Sequence, residues 1–230
     1  MEIGDLLARN FLFRNLDPDV IQRIADLGTT QQLADDQVLF LKGDEGDALY
    51  GVLAGRIRIS SGDADGKEII LNIIDPGDIF GEIALLDGKP RTADASAMQP
   101  SQLFRIQRSD FVALMGAEPR LTTHLLEMVC DRIRKTSEML EDSAFLDLPA
   151  RLAKRLLSLA KYYGEADQET TLTGIQISQA ELGQLMGTSR ESINKHLQYW
   201  RGRGWITLGR GRVTIDAPDA LQNLVERDED

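Results

Sequence analysis

Short β-like segments occupy the chain between residues 29 and 107, with glycines at most of the corners between them. The segments predicted as strands are residues 38–41, 49–53, 56–60, 68–74, 92–97 and 103–106. Residues 56–59, Arg-Ile-Arg-Ile, alternate polar and apolar with a period of two, and a turn at residues 62–66 joins them to the next segment. Many short strands at this spacing predict a β-sandwich or jelly roll with helices at its ends.

Helical patterns flank this region. Asp17 and Pro18 are typical of a helix N-terminus and predict a short helix that ends near Leu27. A second short helix is predicted over residues 109–117 and a long one over 119–145, roughly 40 Å at about 1.5 Å per residue. The long helix carries a narrow stripe at three- and four-residue steps: Leu125, Val129, Ile133, Thr136, Leu140 and Ala144. The stripe favours a symmetric dimer seam, and the alternative is a helix that packs on its own domain.

The last part of the chain begins with a hinge at residues 146–149 and an amphipathic helix predicted over 151–163. Ser178 and Glu181 then have the spacing of a capping box, which opens a short helix that ends at Gly187. This local pattern marks the first helix of a possible pair.

A second helix follows directly. Ser189 is placed to cap it, and it extends to about Arg201. Two helices joined by a short turn that contains glycine are the helix-turn-helix signature. Residues 205–208 and 212–215 flank Gly-Arg-Gly at 209–211, which predicts a β-hairpin, or wing.

The charge distribution agrees with a nucleic-acid partner for this last segment. The net charge is -11, and residues 1–149 hold 15 Lys or Arg against 26 Asp or Glu. Residues 150–214 instead hold 10 against 5, and residues 215–230 hold 1 against 6. DNA binding depends on the local field and not on the sum. The alternative is an ordinary solvated basic face.

Few residues are available for metal or nucleophilic chemistry. Cys130 is the single cysteine, and His124 and His196 are the only histidines. We therefore expect no Cys-based zinc site, no iron–sulfur cluster of ordinary ligation and no enzyme activity. No apolar stretch approaches about 18 residues and no signal-peptide pattern is visible at the start, so a cytoplasmic protein without a membrane partner is expected.

Residues 80–93 read Phe-Gly-Glu-Ile-Ala-Leu-Leu-Asp-Gly-Lys-Pro-Arg-Thr-Ala and have the composition of an anion-binding loop. Gly81 permits a close approach of the backbone to a ligand, and a helical turn at 82–86 would aim free N–H groups at an anion. Arg91 supplies a planar fork suited to phosphate, and Glu82 can accept from a sugar hydroxyl. The alternative is an ordinary loop in which Arg91 and Glu82 pair with each other.

This run resembles the phosphate-binding cassette of cyclic-nucleotide-binding domains, F-G-E-[IL]-A-L-x…P-R-x-A, almost position by position. The resemblance implies a ligand site made of Gly81, Glu82, Ile83, Ala84, Arg91 and Thr92. By that resemblance Gly81 and the backbone of the two residues after Glu82 hold the cyclic phosphate and Arg91 pairs with it. Glu82 takes the ribose 2′-hydroxyl, and Thr92 adds a hydroxyl.

Residues 144–147, Ala-Phe-Leu-Asp, and residues 180–195 resemble the cAMP receptor protein (catabolite activator) family. In that family the long helix is the dimer interface, and a Thr-Ser pair on it touches the purine, one residue from each subunit. Thr136 and Ser137 match that pair. The resemblance implies cAMP as the ligand. Thr92 is the residue type that guanine-binding domains use directly after the arginine, so cGMP is a second candidate.

The start of the second helix of the helix-turn-helix has the residues of a base-reading surface. Arginine binds guanine O6 and N7 together, and glutamate accepts from the cytosine amino group. The family resemblance implies base contacts by Arg190, Glu191 and Lys195, with Ser189 and Ser192 near phosphates. For Glu191 the alternative is a carboxylate that satisfies the helix dipole. Lys195 stands where relatives often have arginine, and it lacks the bidentate fork.

The expected architecture is an α+β chain: a cyclic-nucleotide-binding β jelly roll over residues 1–118, a dimerisation helix and hinge over 119–146, and a winged helix-turn-helix over 147–230. The expected function is a homodimeric bacterial transcription regulator that binds a cyclic nucleotide and then a palindromic operator in double-stranded DNA. RNA polymerase is an expected further partner. The open alternatives are a nucleotide-independent or haem-type regulator of the same fold, and a cyclic-nucleotide sensor module with no DNA role.

Overall fold

The structure is a computed structural model, and it describes residues 16–163, 166–168 and 171–228 together with Gly4 and Phe13. The chain divides into two units, Met1–Ile133 and Arg134–Asp230. Each unit has its own hydrophobic core.

The first unit is built around short antiparallel strands with helices on either side of them in the sequence. Helix α1 (Pro18–Leu27) precedes the strands, and Val20 and Ile24 are its buried residues. The strands are β1 (Thr29–Leu33), β2 (Val38–Phe40), β3 (Ala48–Ala54), β4 (Ile57–Gly62), β5 (Glu68–Ile74), β6 (Ile79–Phe80), β7 (Asp94–Ala97) and β8 (Ser101–Gln107). Helix α2 (Glu82–Asp87) lies between β6 and β7 in the sequence, and α3 (Arg108–Ala117) follows β8.

These strands form two four-stranded sheets, with the orders β1-β8-β3-β6 and β2-β7-β4-β5. Buried residues from both sheets meet in one cluster, among them Tyr50 and Leu103 of the first sheet and Ile57 and Ala95 of the second. Two antiparallel sheets around a shared core, with this strand order, make a jelly roll. The predicted fold class of this region is therefore confirmed.

The strand predictions hold within a few residues, with two omissions. The predicted strand over 68–74 is β5 itself, and the predicted turn after β4 joins these two strands as a hairpin in which Gly62 pairs with Glu68. The Asp63 carboxylate fixes this turn because it accepts from the backbone N–H of Asp65 and Lys67, at 3.0 and 2.9 Å. Strands β1 and β6 were not predicted individually: β1 is Thr-Thr-Gln-Gln-Leu with one buried residue, and β6 has two residues.

The predicted long helix is present as α4 (Pro119–Phe145). Leu121 and Leu125 near its start are buried. Further along, large apolar side chains recur every seven residues with most of their surface exposed: Leu126 at 58%, Ile133 at 60% and Leu140 at 72%. Packing on its own domain therefore accounts for the first turns of α4, and the prediction that Leu125 belongs to an exposed stripe is wrong. Ile133 and Leu140 of the predicted stripe are exposed, and Leu126 is exposed in place of Leu125.

The second unit carries the predicted helix-turn-helix. Its elements after α4 are α5 (Leu148–Tyr163), β9 (Ala166–Gln168), β10 (Thr171–Gln176), α6 (Gln179–Met186), α7 (Arg190–Gly202), β11 (Ile206–Gly209), β12 (Arg212–Ile215) and α8 (Pro218–Asp228). The predicted capping box is confirmed, since Ser178 accepts from the Glu181 N–H and the Glu181 carboxylate accepts from the Ser178 N–H. Strands β11 and β12 form the predicted wing, and they join β10 and β9 in one sheet.

Most of the acidic segment over residues 215–230 that the structure describes forms the helix α8 (Pro218–Asp228). Pro218 begins α8, and Leu221 and Val225 are buried in the core of the second unit. This helix was not predicted, because only the acidic composition of residues 215–230 was considered. Apolar residues four apart behind a proline are nevertheless typical of a helix start. Strands β9 and β10 were also not predicted.

Candidate functional site

One cavity of the first unit brings the predicted phosphate cassette together. The empty space in and above it, which includes solvent at the open mouth, is about 380 Å³. It is lined by Phe40, Ile59, Phe80, Gly81, Glu82, Ile83, Ala84, Arg91, Thr92, Ala93 and Arg132. Every residue predicted for the cassette is in this set. Thr136 and Ser137 are exposed residues of α4 in the second unit.

Gly81 allows the cavity wall to close around the arginine. Its φ of 86° lies in the left-handed region, and it forms the N-cap of α2. A Cβ at this position would lie 2.7 Å from Arg91 Nη1 and 3.3 Å from the Ala48 carbonyl oxygen. Because both the backbone conformation and the space exclude a side chain, this position requires glycine.

Arg91 is buried in the wall of the cavity, and one of its three guanidinium nitrogens has no hydrogen-bond partner. The residue is only 4% exposed, and its guanidinium donates to the carbonyl oxygens of Gly81 at 3.0 Å and Ala48 at 2.8 Å. Its Nε is buried and has no hydrogen-bond partner. Burial lowers the pKa of Arg91 from its ordinary value, while Tyr50 and Asp47 act in the opposite direction. The guanidinium remains a cation at neutral pH.

Glu82 also lines the cavity, and one oxygen of its carboxylate has no hydrogen-bond partner. The residue is 1% exposed, and its Oε1 forms an ion pair with Arg132, which also donates to the Ile79 carbonyl oxygen. Oε2 of Glu82 is buried and without a hydrogen-bond partner. Since Glu82 pairs with Arg132 and Arg91 donates to backbone carbonyls, the alternative in which Glu82 and Arg91 pair with each other is wrong.

The two orphaned atoms define what the cavity can bind. A buried polar atom without a partner costs free energy, so such atoms in native proteins point to a group that binds there. Arg91 Nε is a cationic donor suited to an anion, and Glu82 Oε2 is an acceptor suited to a hydroxyl. The cavity therefore fits a small ligand that carries both groups.

Several lining residues were not identified from the sequence. Phe40 and Ile59 come from strands, and nothing in the local pattern distinguishes them from core residues. Phe80 and Ala93 are the first and last residues of the predicted cassette run, but they were not assigned to the ligand. Arg132 did have a signal: it precedes Thr136 by four residues on the same helix, and side chains four apart on a helix lie on one face.

The second unit presents the predicted base-reading residues at the start of α7. Ile193, Leu197 and Trp200 are buried and fix one face of this helix against the core. Ser189, Arg190, Glu191 and Lys195 are exposed, and Ser192 is half-buried. The turn before α7 is tight: Gly187 ends α6 in the left-handed conformation at a φ of 62°. This arrangement leaves the first turn of α7 open to a large ligand.

The two serines in this turn are already engaged locally. Ser189 caps α7 by accepting from the Ser192 N–H at 3.2 Å, and the two hydroxyls lie 3.1 Å apart.

On the same helix, burial and the neighbouring Lys195 lower the pKa of His196, and Asp147 partly opposes that shift. His196 is therefore mainly neutral at pH 7 and adds little charge to the exposed surface.

A basic surface continues beyond the first turn of α7. Its exposed cations are Arg190, Lys195, Arg201, Arg203, Arg210 and Arg212. Exposed arginines and lysines around a helix-turn-helix supply the electrostatic term in DNA binding. The local positive charge predicted from the sequence is thus presented on the surface of this unit.

The described residues form neither a membrane-spanning helix nor a cluster of metal ligands. No helix among the described residues has the length and apolar character needed to span a membrane. Within the same part of the chain, no three His, Cys, Asp or Glu side chains are grouped so that they could bind a metal ion.

Comparisons with known proteins agree with both sites. The chain matches the family model of the cyclic nucleotide-binding domain over residues 30–118 and that of the Crp-like helix-turn-helix domain over 150–224. It is 31% identical to the CRP-like cAMP-activated global transcriptional regulator of Mycobacterium tuberculosis, over 95% of this chain and 98% of that protein.

A sequence and a solved structure from Thermus thermophilus are also similar. The cyclic AMP receptor protein is 29% identical over 93% of this chain and 95% of the relative. The solved structure of the catabolite activator protein aligns with a TM-score of 0.55 at 28% identity, covering 95% of this chain and 99% of that one. The chain therefore belongs to the CRP/FNR family, as a cyclic-nucleotide-binding transcription regulator with a helix-turn-helix DNA-binding domain.

Proposed function

We propose that this chain is a homodimeric regulator that binds cAMP in the first unit and then binds a near-palindromic operator through α7. In this proposal residues 1–118 bind the nucleotide, 119–146 form the dimer helix and hinge, and 147–230 bind DNA. No residue is assigned a catalytic role. RNA polymerase is the further partner, because the relatives are described as transcription regulators.

The observation that carries the proposal is a pair of buried atoms without a hydrogen-bond partner, Arg91 Nε and Glu82 Oε2, on two residues that line one cavity. A 3′,5′-cyclic nucleotide has an anionic phosphate and a free 2′-hydroxyl on one rigid ring system. Arg91 would bind the phosphate together with Gly81 and the backbone N–H groups of Ile83 and Ala84, and the Thr92 hydroxyl lies on the same wall. Glu82 Oε2 would accept from the 2′-hydroxyl.

The base is expected to be adenine. Thr136 and Ser137, which the family resemblance assigns to the purine, are exposed on α4, and a hydroxyl can both donate to and accept from a purine. The names of two relatives refer to cAMP. Thr92, exposed beside the phosphate site, keeps cGMP as the second ligand to be tested.

Calorimetric titration of the full chain with cAMP and with cGMP tests this assignment. We expect cAMP to bind more tightly, and we expect Thr136→Ala to reduce the ratio of the two affinities more than it reduces the affinity for cGMP. Thr123→Ala is the matched control, since Thr123 is exposed on the same helix and donates to the Pro119 carbonyl oxygen. Tighter binding of cGMP would overturn the assignment of cAMP, and the absence of binding by either nucleotide would favour a nucleotide-independent or haem-type regulator.

The exposed stripe on α4 supports the dimer. Leu126, Ile133 and Leu140 are seven residues apart, the spacing at which helices pair along a seam. Light scattering of the purified chain is expected to give twice the mass of one chain. Ile133→Glu is expected to give monomers, whereas Glu138→Gln, an exposed change on the same helix, leaves the dimer intact. A monomeric unchanged chain would contradict the seam.

The exposed first turn of α7 supports the DNA contacts. We assign base contacts to Arg190, Glu191 and Lys195, and we place Ser189 and Ser192 near phosphates. A two-fold dimer presents two such helices to half-sites about 34 Å apart, one helical turn of DNA. Selection of duplexes from a random library is expected to recover an inverted repeat with that spacing, and recovery of unpaired half-sites only would contradict the dimeric arrangement.

A further inference from the structure

The guanidinium of Arg91 lies over the ring of Phe40, with 4.3 Å between Arg91 Cζ and the ring centroid. The ring of Tyr50 is more distant, at 5.6 Å. The N–H groups of Arg91 donate within the guanidinium plane to Gly81 and Ala48. Hydrogen bonds fix the edges of the guanidinium, and its central carbon lies over the face of the Phe40 ring.

Phe40 is itself held in place. It lies at the end of β2, where it pairs with Ala95 of β7, and its ring centroid is 6.0 Å from that of Tyr50 and 6.2 Å from that of Phe80. The backbone of Arg91 is fixed by the loop that follows β2, because Gly43 donates to its carbonyl oxygen at 2.9 Å and its N–H donates to Asp44 at 2.8 Å. The end of β2 and the loop after it therefore hold both the backbone and the side chain of the arginine.

We propose that Phe40 is a positioning residue for the phosphate site, acting through Arg91. The contact with the ring holds the guanidinium in one position, so that the unpartnered Nε–H is available to a phosphate oxygen without reordering of the side chain. A cation over an aromatic face is attracted by the ring quadrupole, and the attraction is stronger when the pair is buried. A leucine would fill similar space but would lack this attraction. The inference rests on the proposed function, since it requires a ring phosphate in the cavity.

The test compares cAMP affinity by calorimetry for Phe40→Leu and Phe40→Tyr, each in the unchanged chain and in an Arg91→Gln chain. Phe40→Leu is expected to weaken binding by about fivefold to tenfold, and Phe40→Tyr by less than about twofold. In the Arg91→Gln chain, Phe40→Leu is expected to change the affinity by less than about twofold, because the residue through which Phe40 acts is gone. If Phe40→Leu does not fold, Phe40→Met replaces it.

A second measurement separates positioning from a loss of structure. The two diastereomers of adenosine 3′,5′-cyclic phosphorothioate differ in which exocyclic oxygen is sulfur, so the ratio of their affinities reports which oxygen Arg91 contacts. Phe40→Leu is expected to move this ratio towards one, whereas a structural defect lowers both affinities equally. Phe111→Leu is the control: it removes a buried ring from the other core cluster of the same unit, lowers Tm and leaves the ratio unchanged.

The outcomes separate the role of Phe40 from nucleotide binding itself. Equal losses from Phe40→Leu with and without the Arg91→Gln change, or an unchanged diastereomer ratio in Phe40→Leu, would overturn the role of Phe40 and leave the proposed function standing. Failure of the unchanged chain to bind either cyclic nucleotide would overturn the proposed function and this inference together.

Discussion

Glu82 and Arg132 form an ion pair that joins the cassette helix α2 to the long helix α4 within the first unit. Glu82 is buried, and Arg132 is also anchored by its donation to the Ile79 carbonyl oxygen. The pair occupies only one oxygen of the carboxylate, because Oε2 has no partner. Arg132 therefore offsets the cost of burying Glu82 and fixes the orientation of the remaining acceptor.

That free oxygen gives the first prediction, which concerns the ribose. A hydrogen bond to a charged acceptor is worth about 1.5–3 kcal/mol, so 2′-deoxy-cAMP is expected to bind the unchanged chain at least roughly tenfold more weakly than cAMP. In Glu82→Gln this difference is expected to shrink to less than about threefold, because the charged acceptor is absent. Calorimetric titration of both ligands into both proteins checks this.

The comparison of ligands cancels the effect of losing the ion pair with Arg132 in the variant, since that loss weakens the binding of both ligands. If Glu82→Gln discriminated between cAMP and 2′-deoxy-cAMP as strongly as the unchanged chain, Glu82 would not be the group that contacts the 2′-hydroxyl.

Arg91 gives the second prediction. Its charge-assisted contact with the phosphate is expected to contribute about 1.5–3 kcal/mol, so Arg91→Leu weakens cAMP binding at least roughly tenfold in a folded chain. Arg105→Leu is the matched control, because Arg105 pairs with Asp47 at 2.7 Å in the same unit but does not line the cavity. Unchanged affinity in a folded Arg91→Leu protein would show that the phosphate lies elsewhere.

The third prediction concerns base reading by Glu191. Glu191→Ala is expected to cost about 1–3 kcal/mol per half-site on the preferred operator and little on operators changed at the base pair it reads. Nonspecific affinity is expected to rise slightly, because a negative charge near phosphates is removed. Titrations of labelled duplexes at one salt concentration measure both effects.

Glu226→Ala controls for the loss of charge alone, since Glu226 is exposed on α8 of the same unit. An equal loss on every operator in Glu191→Ala would mean that the carboxylate stabilises the helix start and reads no base.

The fourth prediction is a pH dependence. Burial and Lys195 lower the pKa of His196 in the folded chain, so the unfolded chain takes up the proton first as pH falls. The contribution of neutral His196 to stability is therefore fully present above the unfolded pKa of about 6.5 and declines as pH falls from there towards the folded pKa. Thermal unfolding between pH 8 and 5 is expected to show a smaller decline of Tm in His196→Gln than in the unchanged chain, and identical slopes would contradict this.

The sequence predicts most elements whose stability is local. The capping box at Ser178 and Glu181 and the Asp63 turn are closed by groups two to four residues apart, so short patterns contain the whole cause. Strand β6 has two residues and depends on its pairing with Tyr50 and Gly51, which no local pattern reveals.

The site also combines residues that a local motif identifies with residues that only long-range contacts bring together. The cassette residues from Gly81 to Thr92 are contiguous enough to be identified as a motif, and the cavity contains all of those predicted. Arg132 and Phe40 reach the cavity from positions far outside the cassette, one on either side of it in the sequence. Phe40 reaches the cavity through the pairing of strands distant in the sequence, which no local pattern reveals, whereas Arg132 reaches it from the long helix, where its spacing from Thr136 was the one available signal.

We expect nucleotide binding in the first unit to control DNA binding in the second. The most direct test is the affinity of the full chain, by fluorescence anisotropy at one salt concentration, for a near-palindromic duplex selected with cAMP present. Saturating cAMP is expected to tighten binding at least about fivefold, the lower end of ordinary allosteric coupling, and Arg91→Leu is expected to abolish the gain. Equal affinity for the duplex with and without cAMP would contradict the account.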